Sequence, residues 1–354
     1  MHLRSHPSRL STARPLVAGL TAALVLAACG GSSEDPGVDT AADGDADEAA
    51  SGDTDDADGF PVTLTNCDRE VTFERPPERI LVLGRAELVS IISELDQMDR
   101  IVGRAGAYPP EYFDDETNDL IADIPSLSDD LDESGHLQIS QEAILDLEPD
   151  LVLGRPDGVD VASLEAAGIP LLEQPANCPG GIEDIGFETI YDEVTAYGDI
   201  LGVPDQAAQV VAELQDRVAD VEAAAAEVGD GRVAAALYPT VGGGTTYAYG
   251  NRSFPHVLLE TAGFDNAFAD TDERVFEVAT EELISRDPDA LVLLHVDGEP
   301  GPVADALTQL PGASGMTAVV QEQVLVQLFN FAEYPSPLVI DGLEQLVATF
   351  GDRA

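Results

Sequence analysis

A short pattern occurs twice in this chain and restricts the fold more than any other feature. Gln141-Glu142-Ala143-Ile144-Leu145-Asp146-Leu147-Glu148-Pro149-Asp150-Leu151-Val152-Leu153 returns as Glu281-Glu282-Leu283-Ile284-Ser285-Arg286-Asp287-Pro288-Asp289-Ala290-Leu291-Val292-Leu293. In each copy a glutamate, Glu142 or Glu281, stands seven positions before a Pro-Asp pair. The residues before the pair read as a short helix, with Ile144 and Leu147, or Leu283 and Ile284, on its apolar side. Proline ends that helix, because it lacks an amide proton and restricts the residue before it. The apolar run that follows has the length and side chains of a strand buried on both faces. A helix feeding a buried strand is one unit of an open parallel sheet. Its recurrence 139 residues later, from Glu142 to Glu281, predicts two lobes of one design.

The first 28 residues read as a targeting segment: Arg4, Arg9 and Arg14 precede an apolar stretch from Leu16 to Ala28 that is too short for a membrane span. It ends in Leu26-Ala27-Ala28-Cys29-Gly30-Gly31, which resembles the bacterial lipoprotein signal, cut before a cysteine that is then lipid-modified. A plain secretory signal with a stray Cys29 is the alternative. From Ser32 to Gly59 eleven residues are acidic and none is basic. Such a segment buries too little surface to offset its ordering entropy, so it reads as a disordered tether with a reach on the order of 30 Å. The rest of the chain is long enough for two ordinary domains.

Acidic residues exceed basic ones by 52, and every basic residue is arginine. Nucleic-acid binding is excluded, since neutralising phosphates needs basic patches. After signal removal His136, His256 and His295 stand far apart without ligand spacing, so no metal-ion site is expected. Cys67 and Cys178 are expected to pair as a disulfide, because an exported chain meets oxidising conditions; two free thiols are the alternative. By the chain-entropy account such a loop contributes roughly 4 to 5 kcal/mol.

Along the folded region, Val62–Thr65 and Glu70–Phe73 alternate around a turn and read as a hairpin. Strands and helices then alternate up to Leu172, as a parallel or mostly parallel sheet requires. At Ile182–Leu201 and Gln206–Val228 the rhythm changes to two successive helices, with Ile185, Ile190, Val194, Tyr197 and Leu201 striping the first and Val210, Leu214, Val218 and Val221 the second. The strand pattern restarts at Arg232–Tyr238. The expected organisation is therefore a signal peptide at 1–28, lipidated cysteine and tether at 29–59, an N-terminal lobe at 60–181, an inter-lobe helical region at 182–228, and a C-terminal lobe at 229–354.

The segments Thr65-Asn66-Cys67-Asp68-Arg69-Glu70-Val71-Thr72-Phe73 and Arg75-Pro76-Pro77-Glu78-Arg79-Ile80 resemble the start of substrate-binding lipoproteins of ABC importers for ferric siderophores, cobalamin and haem. So do Glu188–Val194 and Ala262–Asp270. The resemblance covers nearly all of Phe60–Ala354. It implies an α/β fold of two Rossmann-like lobes with mostly parallel sheets joined by a long inter-lobe helix, with cargo held between the lobes and no catalytic activity. It implies as partners an ABC permease and its ATPase, and a role as a monomer anchored by lipid at the extracytoplasmic face of the cell membrane. In such proteins one glutamate on each lobe docks on permease arginines; the positions that match are Glu142 and Glu281. A solvated charge near a helix start is the bland alternative for both.

In open α/β sheets ligands bind beyond the C-terminal ends of the strands. The loops there, and two loops nearby, contribute Arg85, Tyr108, Arg155, Tyr238, Tyr247, Arg252 and Tyr334 as candidate ligand-binding residues. Arginine's planar fork suits chelate oxygens, and tyrosine supplies an aromatic face with a polar tip. Arg252, directly before a helix starting at Ser253, is the first choice. For each, pairing with a surface carboxylate or burial in the core is the alternative. The expectation is a binding protein that captures a ferric siderophore, with no cofactor of its own; haem, cobalamin or a role as a non-transport sensor are the other readings. No nucleophile elbow, phosphate loop or catalytic triad is recognisable, so enzymatic activity is not expected.

Overall fold

The computed structural model describes residues 59–84, 86–128, 137–156, 158–182, 184–228, 231–242, 244–296 and 298–351. The expected signal, Cys29, the tether, Arg85 and His136 lie outside the described residues. The fold begins with the expected hairpin, β1 (Val62–Asn66) antiparallel to β2 (Arg69–Phe73), turning through Cys67 and Asp68 at φ 49° and 61°. Two adjacent left-handed residues are what a two-residue turn between twisted strands demands.

The N-terminal half then runs β3 (Ile80–Leu83), α1 (Ala86–Glu94), β4 (Ile101–Ala105), α2 (Asp115–Asp123), β5 (Ser126–Ser128), α3 (Gln141–Asp146), β6 (Leu151–Leu153), α4 (Val161–Ala166) and β7 (Leu171–Leu172). Its five strands form a wholly parallel sheet in the order β5-β4-β3-β6-β7. Two long helices follow, α5 (Phe187–Leu201) and α6 (Pro204–Val228). The first starts five residues later than expected, because extended Gly186 caps it. The second starts two residues earlier, because proline fits a first helical position, whose amide has no partner in any case.

The C-terminal half comprises β8 (Val233–Pro239), β9 (Thr246–Tyr249), α7 (Phe254–Thr261), β10 (Asp265–Asn266), β11 (Val275–Glu277), α8 (Thr280–Arg286), β12 (Ala290–His295), α9 (Pro300–Thr308), α10 (Thr317–Val320), β13 (Val324–Leu328) and α11 (Pro337–Gly351). Its sheet is mixed, in the order β11-β9-β8-β12-β13, with β10 beside the start of β8. Tyr247 lies on strand β9 and not in a loop: Thr246-Tyr247-Ala248-Tyr249 is rich in strand formers and pairs antiparallel with β8.

Both halves bury the two faces of their central strands. Ile80 and Val82 of β3 face one core while Leu81 and Leu83 face another. In β12, Ala290, Val292 and Leu294 face the first core and Leu291 and Leu293 an outer one. The shared core includes the expected stripes of α5 and α6, except Ile185, which precedes α5 and packs against that core only partly buried, together with Leu343 and Leu346 of α11. Gly198 of α5 and Gly342 of α11 allow the closest approaches, since a Cβ there would overlap Ala207 or the carbonyl of Phe331. Across α6 and α11, Arg217 places Nε 2.8 Å from Glu344 Oε1 and Nη2 2.9 Å from Glu344 Oε2, with Asp341 beside them.

The repeated Pro-Asp pair has a structural role. Glu148 and Asp287, the residues before proline, turn the chain at φ 48° and 41°. The carboxylate of Asp150 then accepts from the amides of Glu78 (2.9 Å) and Arg79 (2.7 Å), just before β3. Asp289 accepts from the amide of Val233 (3.0 Å), the first residue of β8. Each aspartate thus fixes the start of the strand next to its own. Asp150→Ala and Asp289→Ala should each cost about 1.5 to 3 kcal/mol in urea denaturation, the range for hydrogen bonds to a charged group, and the double variant should be additive because the sites share no partner.

Candidate functional site

A candidate site lies where strand ends from both halves meet. Glu87 follows β3, Gln174 follows β7, and Asn330 and Pro335 follow β13. Asn330 donates from Nδ2 to Glu87 Oε2 (3.1 Å), and its amide donates to the Tyr112 hydroxyl (3.0 Å). Gln174 donates from Nε2 to Pro335 O (3.1 Å) and to Glu193 Oε2 on α5 (3.3 Å). Side chains from each half therefore form one buried polar floor between them.

On the N-terminal side, Arg155 leaves the end of β6 and places Nε 3.0 Å from Glu173 Oε2. The arginine side chain is 45% exposed and the carboxylate 8%. On the C-terminal side Arg274 does the same: Nη1 lies 2.9 Å from Glu333 Oε2, with exposures of 44% and 2%. Each half thus offers a half-exposed guanidinium held from behind by a buried carboxylate. Burial works against the Arg274 charge, but Glu333, Tyr334 and Tyr249 outweigh it and hold the guanidinium above its ordinary value. Burial raises the Glu333 carboxyl, and Arg274 opposes that rise.

The candidate tyrosines divide between the two sides. Tyr108 donates its hydroxyl to Val82 O and Ala105 O, both 3.2 Å away, at the ends of β3 and β4. Tyr238 stands edge-on to Phe329 at 6.2 Å, and Phe329 to Tyr334 at 5.6 Å. Tyr247 is the register partner of Tyr238, so the two share a face of the sheet. Tyr249, which sequence reasoning did not select, is buried beside Glu333 and Arg274, and burial raises its hydroxyl pKa far above the usual range. Arg252 is 64% exposed, with Nε 2.7 Å from Asp272 Oδ1.

Glu173, Arg274 and Glu333 were absent from the expected site. In a chain this acidic no glutamate stands out, and Arg274 follows Asp272 and Glu273 like an ordinary surface charge. A residual signal existed in the scarcity of arginine itself. Glu142 and Glu281 lie exposed in the first turns of α3 and α8. A helix that returns to a parallel strand runs antiparallel to it, so both glutamates sit at the strand-end side of their halves.

A cavity of about 470 Å³ opens elsewhere, between α1, α2 and α11, lined by Glu94, Asp114, Glu116 and Asp341. Among the described residues, none of the arginine or tyrosine candidates lines it. The disulfide joins Cys67 to Cys178 with a Cα separation of 4.9 Å. Among the described residues no group of three His, Cys, Asp or Glu side chains is arranged to hold a metal ion, and no helix is long and apolar enough to cross a membrane.

In the floor, burial holds the Glu193 carboxyl well above the usual range; Glu87 adds to the rise and Gln174 opposes it. The folded state therefore keeps a proton that the unfolded chain releases above a pKa of 4.5, so this group's contribution to stability is present below that value and declines as pH rises. Glu193→Gln, which mimics the protonated form, should match the parent near pH 4 and melt at increasingly higher temperature than it from pH 5 upward, measured by calorimetry across that range.

A family profile described as periplasmic binding protein matches residues 80–327. An ABC transporter substrate-binding lipoprotein of Bacillus subtilis, YvrC, is 23% identical over 294 residues, covering 81% of this chain and 84% of that one. The crystal structure of an ABC-type Fe3+-hydroxamate transport system from Saccharomonospora viridis is 53% identical, with a TM-score of 0.76, covering 82% of this chain and 99% of that chain. The periplasmic haem-binding protein RhuT from Roseiflexus has a TM-score of 0.61 at 23% identity, covering 78% of this chain and 98% of that chain, and shows a shared fold.

Proposed function

This chain belongs to the periplasmic binding protein family, and from that premise we propose that it captures a ferric siderophore of the hydroxamate class between its two lobes. It is the substrate-binding component of an ABC importer, a transport component and not an enzyme, and works outside the cytoplasm with a permease and its ATPase. The observation that carries the cargo reading is the matched pair of half-exposed arginines, Arg155 and Arg274, each backed by a buried glutamate.

Each guanidinium has N–H groups left to donate, and its fork fits two adjacent oxygens. A hydroxamate presents such a pair of oxygens, and three hydroxamates balance the charge of ferric iron. Because Glu173 and Glu333 neutralise the two arginines, the site offers directed donors with little net positive charge. That suits a chelate of low net charge better than a strongly anionic tris-catecholate. Tyr238, Tyr247 and Tyr334 supply apolar faces beside the donors, and Tyr108 braces the strand ends opposite. The relative from Saccharomonospora viridis supports the same class.

Delivery is assigned to Glu142 and Glu281, exposed on equivalent helices of the two lobes, which orient the loaded protein on basic residues of the permease. Cys29 is the proposed lipid site, with residues 29–59 as the tether and a monomer as the working unit.

Two experiments test this. In native mass spectrometry against ferrioxamine B, a ferric tris-catecholate, haem and cobalamin, ferrioxamine B should bind, and Arg155→Ala and Arg274→Ala should each weaken it by roughly tenfold to a hundredfold, as loss of one charged hydrogen bond implies. Exclusive binding of haem, cobalamin or the catecholate would overturn the cargo class. Glu142→Arg combined with Glu281→Arg should abolish import of radiolabelled iron while leaving affinity unchanged; lost affinity would remove the docking assignment.

A further inference from the structure

Arg155 projects from the end of a three-residue strand and is nearly half exposed, so its long side chain has many rotamers available unless something holds it. Its guanidinium is held by Glu173, and Glu173 lies just after β7, which pairs with β6 only through Leu171 and Leu172. Beyond that pair the backbone leaves the sheet. Its support then comes from the β1–β2 hairpin, which belongs to neither large sheet.

Three hairpin residues grip this segment. Arg69 donates from Nη2 to Leu171 O (3.1 Å). Asn66, itself buried, accepts from the Glu173 amide at Oδ1 (2.8 Å) and donates from Nδ2 to Glu173 O (2.6 Å), closing a two-bond clamp on the backbone of that one residue. Cys67 is bonded to Cys178 across the same segment, and its sulfur lies 3.9 Å from Glu173 Oε2. A disulfide sulfur has no proton to donate, so that last approach is packing and not a hydrogen bond. The clamped residue carries a side chain only 8% exposed, with one carboxylate oxygen on Arg155.

We propose that Glu173 is a positioning residue that aims Arg155 at the cargo, and that the hairpin, through Asn66 and the Cys67–Cys178 disulfide, anchors it. This rests on the reading of Arg155 as a cargo-binding residue. The hairpin is a firm anchor because Val71 and Phe73 pack into the main core and the disulfide adds a covalent tie. The next residue, fully buried Gln174, carries the same support to Pro335 on the opposite half. A covalent link at the N-terminal edge of the fold is thereby felt at the binding site.

The test uses Glu173→Gln, Asn66→Ala and the double variant Cys67→Ser with Cys178→Ser, each made with Arg155 intact and in an Arg155→Ala background. The first readout needs no cargo: the Nε–Hε NMR resonance of Arg155, assigned by its disappearance in Arg155→Ala. It should be sharp and displaced from the exposed-arginine position in the parent, move to that position in Glu173→Gln, and broaden in the two anchor variants. A resonance unmoved in Glu173→Gln and unbroadened in Asn66→Ala overturns the proposal, even where the serine variant fails to fold. The second readout is affinity for ferrioxamine B by tyrosine quenching. Glu173→Gln should lower it about fivefold to tenfold with Arg155 intact and by less than about twofold without it, the non-additivity expected of two residues acting as one unit. Equal losses in both backgrounds would make Glu173 a scaffold residue and overturn the positioning role. If the parent does not bind ferrioxamine B while the resonance behaves as expected, the cargo reading fails and the positioning role stands.

Discussion

The central strands of both halves bury both faces, so each sheet needs a helical layer on either side, and the two inner layers are one. Residues of β3, β8 and β12 share a single core with α1, α5, α6, α7 and α11. Two sheets that draw on the same layer of apolar side chains cannot separate without exposing it, at about 25 cal/mol for each Å² uncovered. This constraint places the strand ends of both halves against one another. It also explains why polar groups such as Glu87, Gln174 and Glu193 lie buried where the halves meet. Buried polar groups persist when they are paired, and Gln174 is paired in both directions, to α5 and to Pro335. The floor of the site is therefore a consequence of the core.

The repeated pattern was legible as two units of a parallel sheet because its parts act locally. Proline beyond the first turn stops a helix, and a run such as Leu151-Val152-Leu153 has nowhere to go but inside. The function of the aspartate was not legible, since its partners, the amides at Glu78 and Arg79 or at Val233, lie far away in sequence. The same limit applies to the inter-lobe helices. Their apolar stripes are periodic and were visible, whereas the start at Pro204 and the cap at Gly186 depend on details of backbone entry.

Part of the proposed site coincides with residues expected from the sequence. Tyr238, Tyr247 and Tyr334 assemble on the C-terminal side, and Tyr108 and Arg155 stand at strand ends on the other. Arg252 was the first choice because it directly precedes a helix, yet it is Arg274 that has a buried carboxylate behind it. Burial separates the two, and burial belongs to the assembled fold. Pairing with Asp272 at the surface contributes at most about 1 kcal/mol and leaves Arg252 largely solvated. Pairing with Glu333 costs desolvation, and a half-exposed charge held at such a cost has its orientation set by the protein.

The extreme acidity of the chain bears on how such a site selects its cargo. A net charge of −52 would repel an anionic chelate at long range, but salt screens exposed charges beyond about 8 Å under physiological conditions. What decides capture is then the last few ångströms, where directed N–H donors act. On the proposed reading, Glu173 and Glu333 remove the net positive charge of Arg155 and Arg274 while leaving their remaining donors in place. Attraction by charge is traded for recognition by geometry, and geometry is useful only if the donors are held still. That requirement gives a physical reason for backing each arginine with a nearly inaccessible carboxylate, where a flexible basic loop would serve a less discriminating binder.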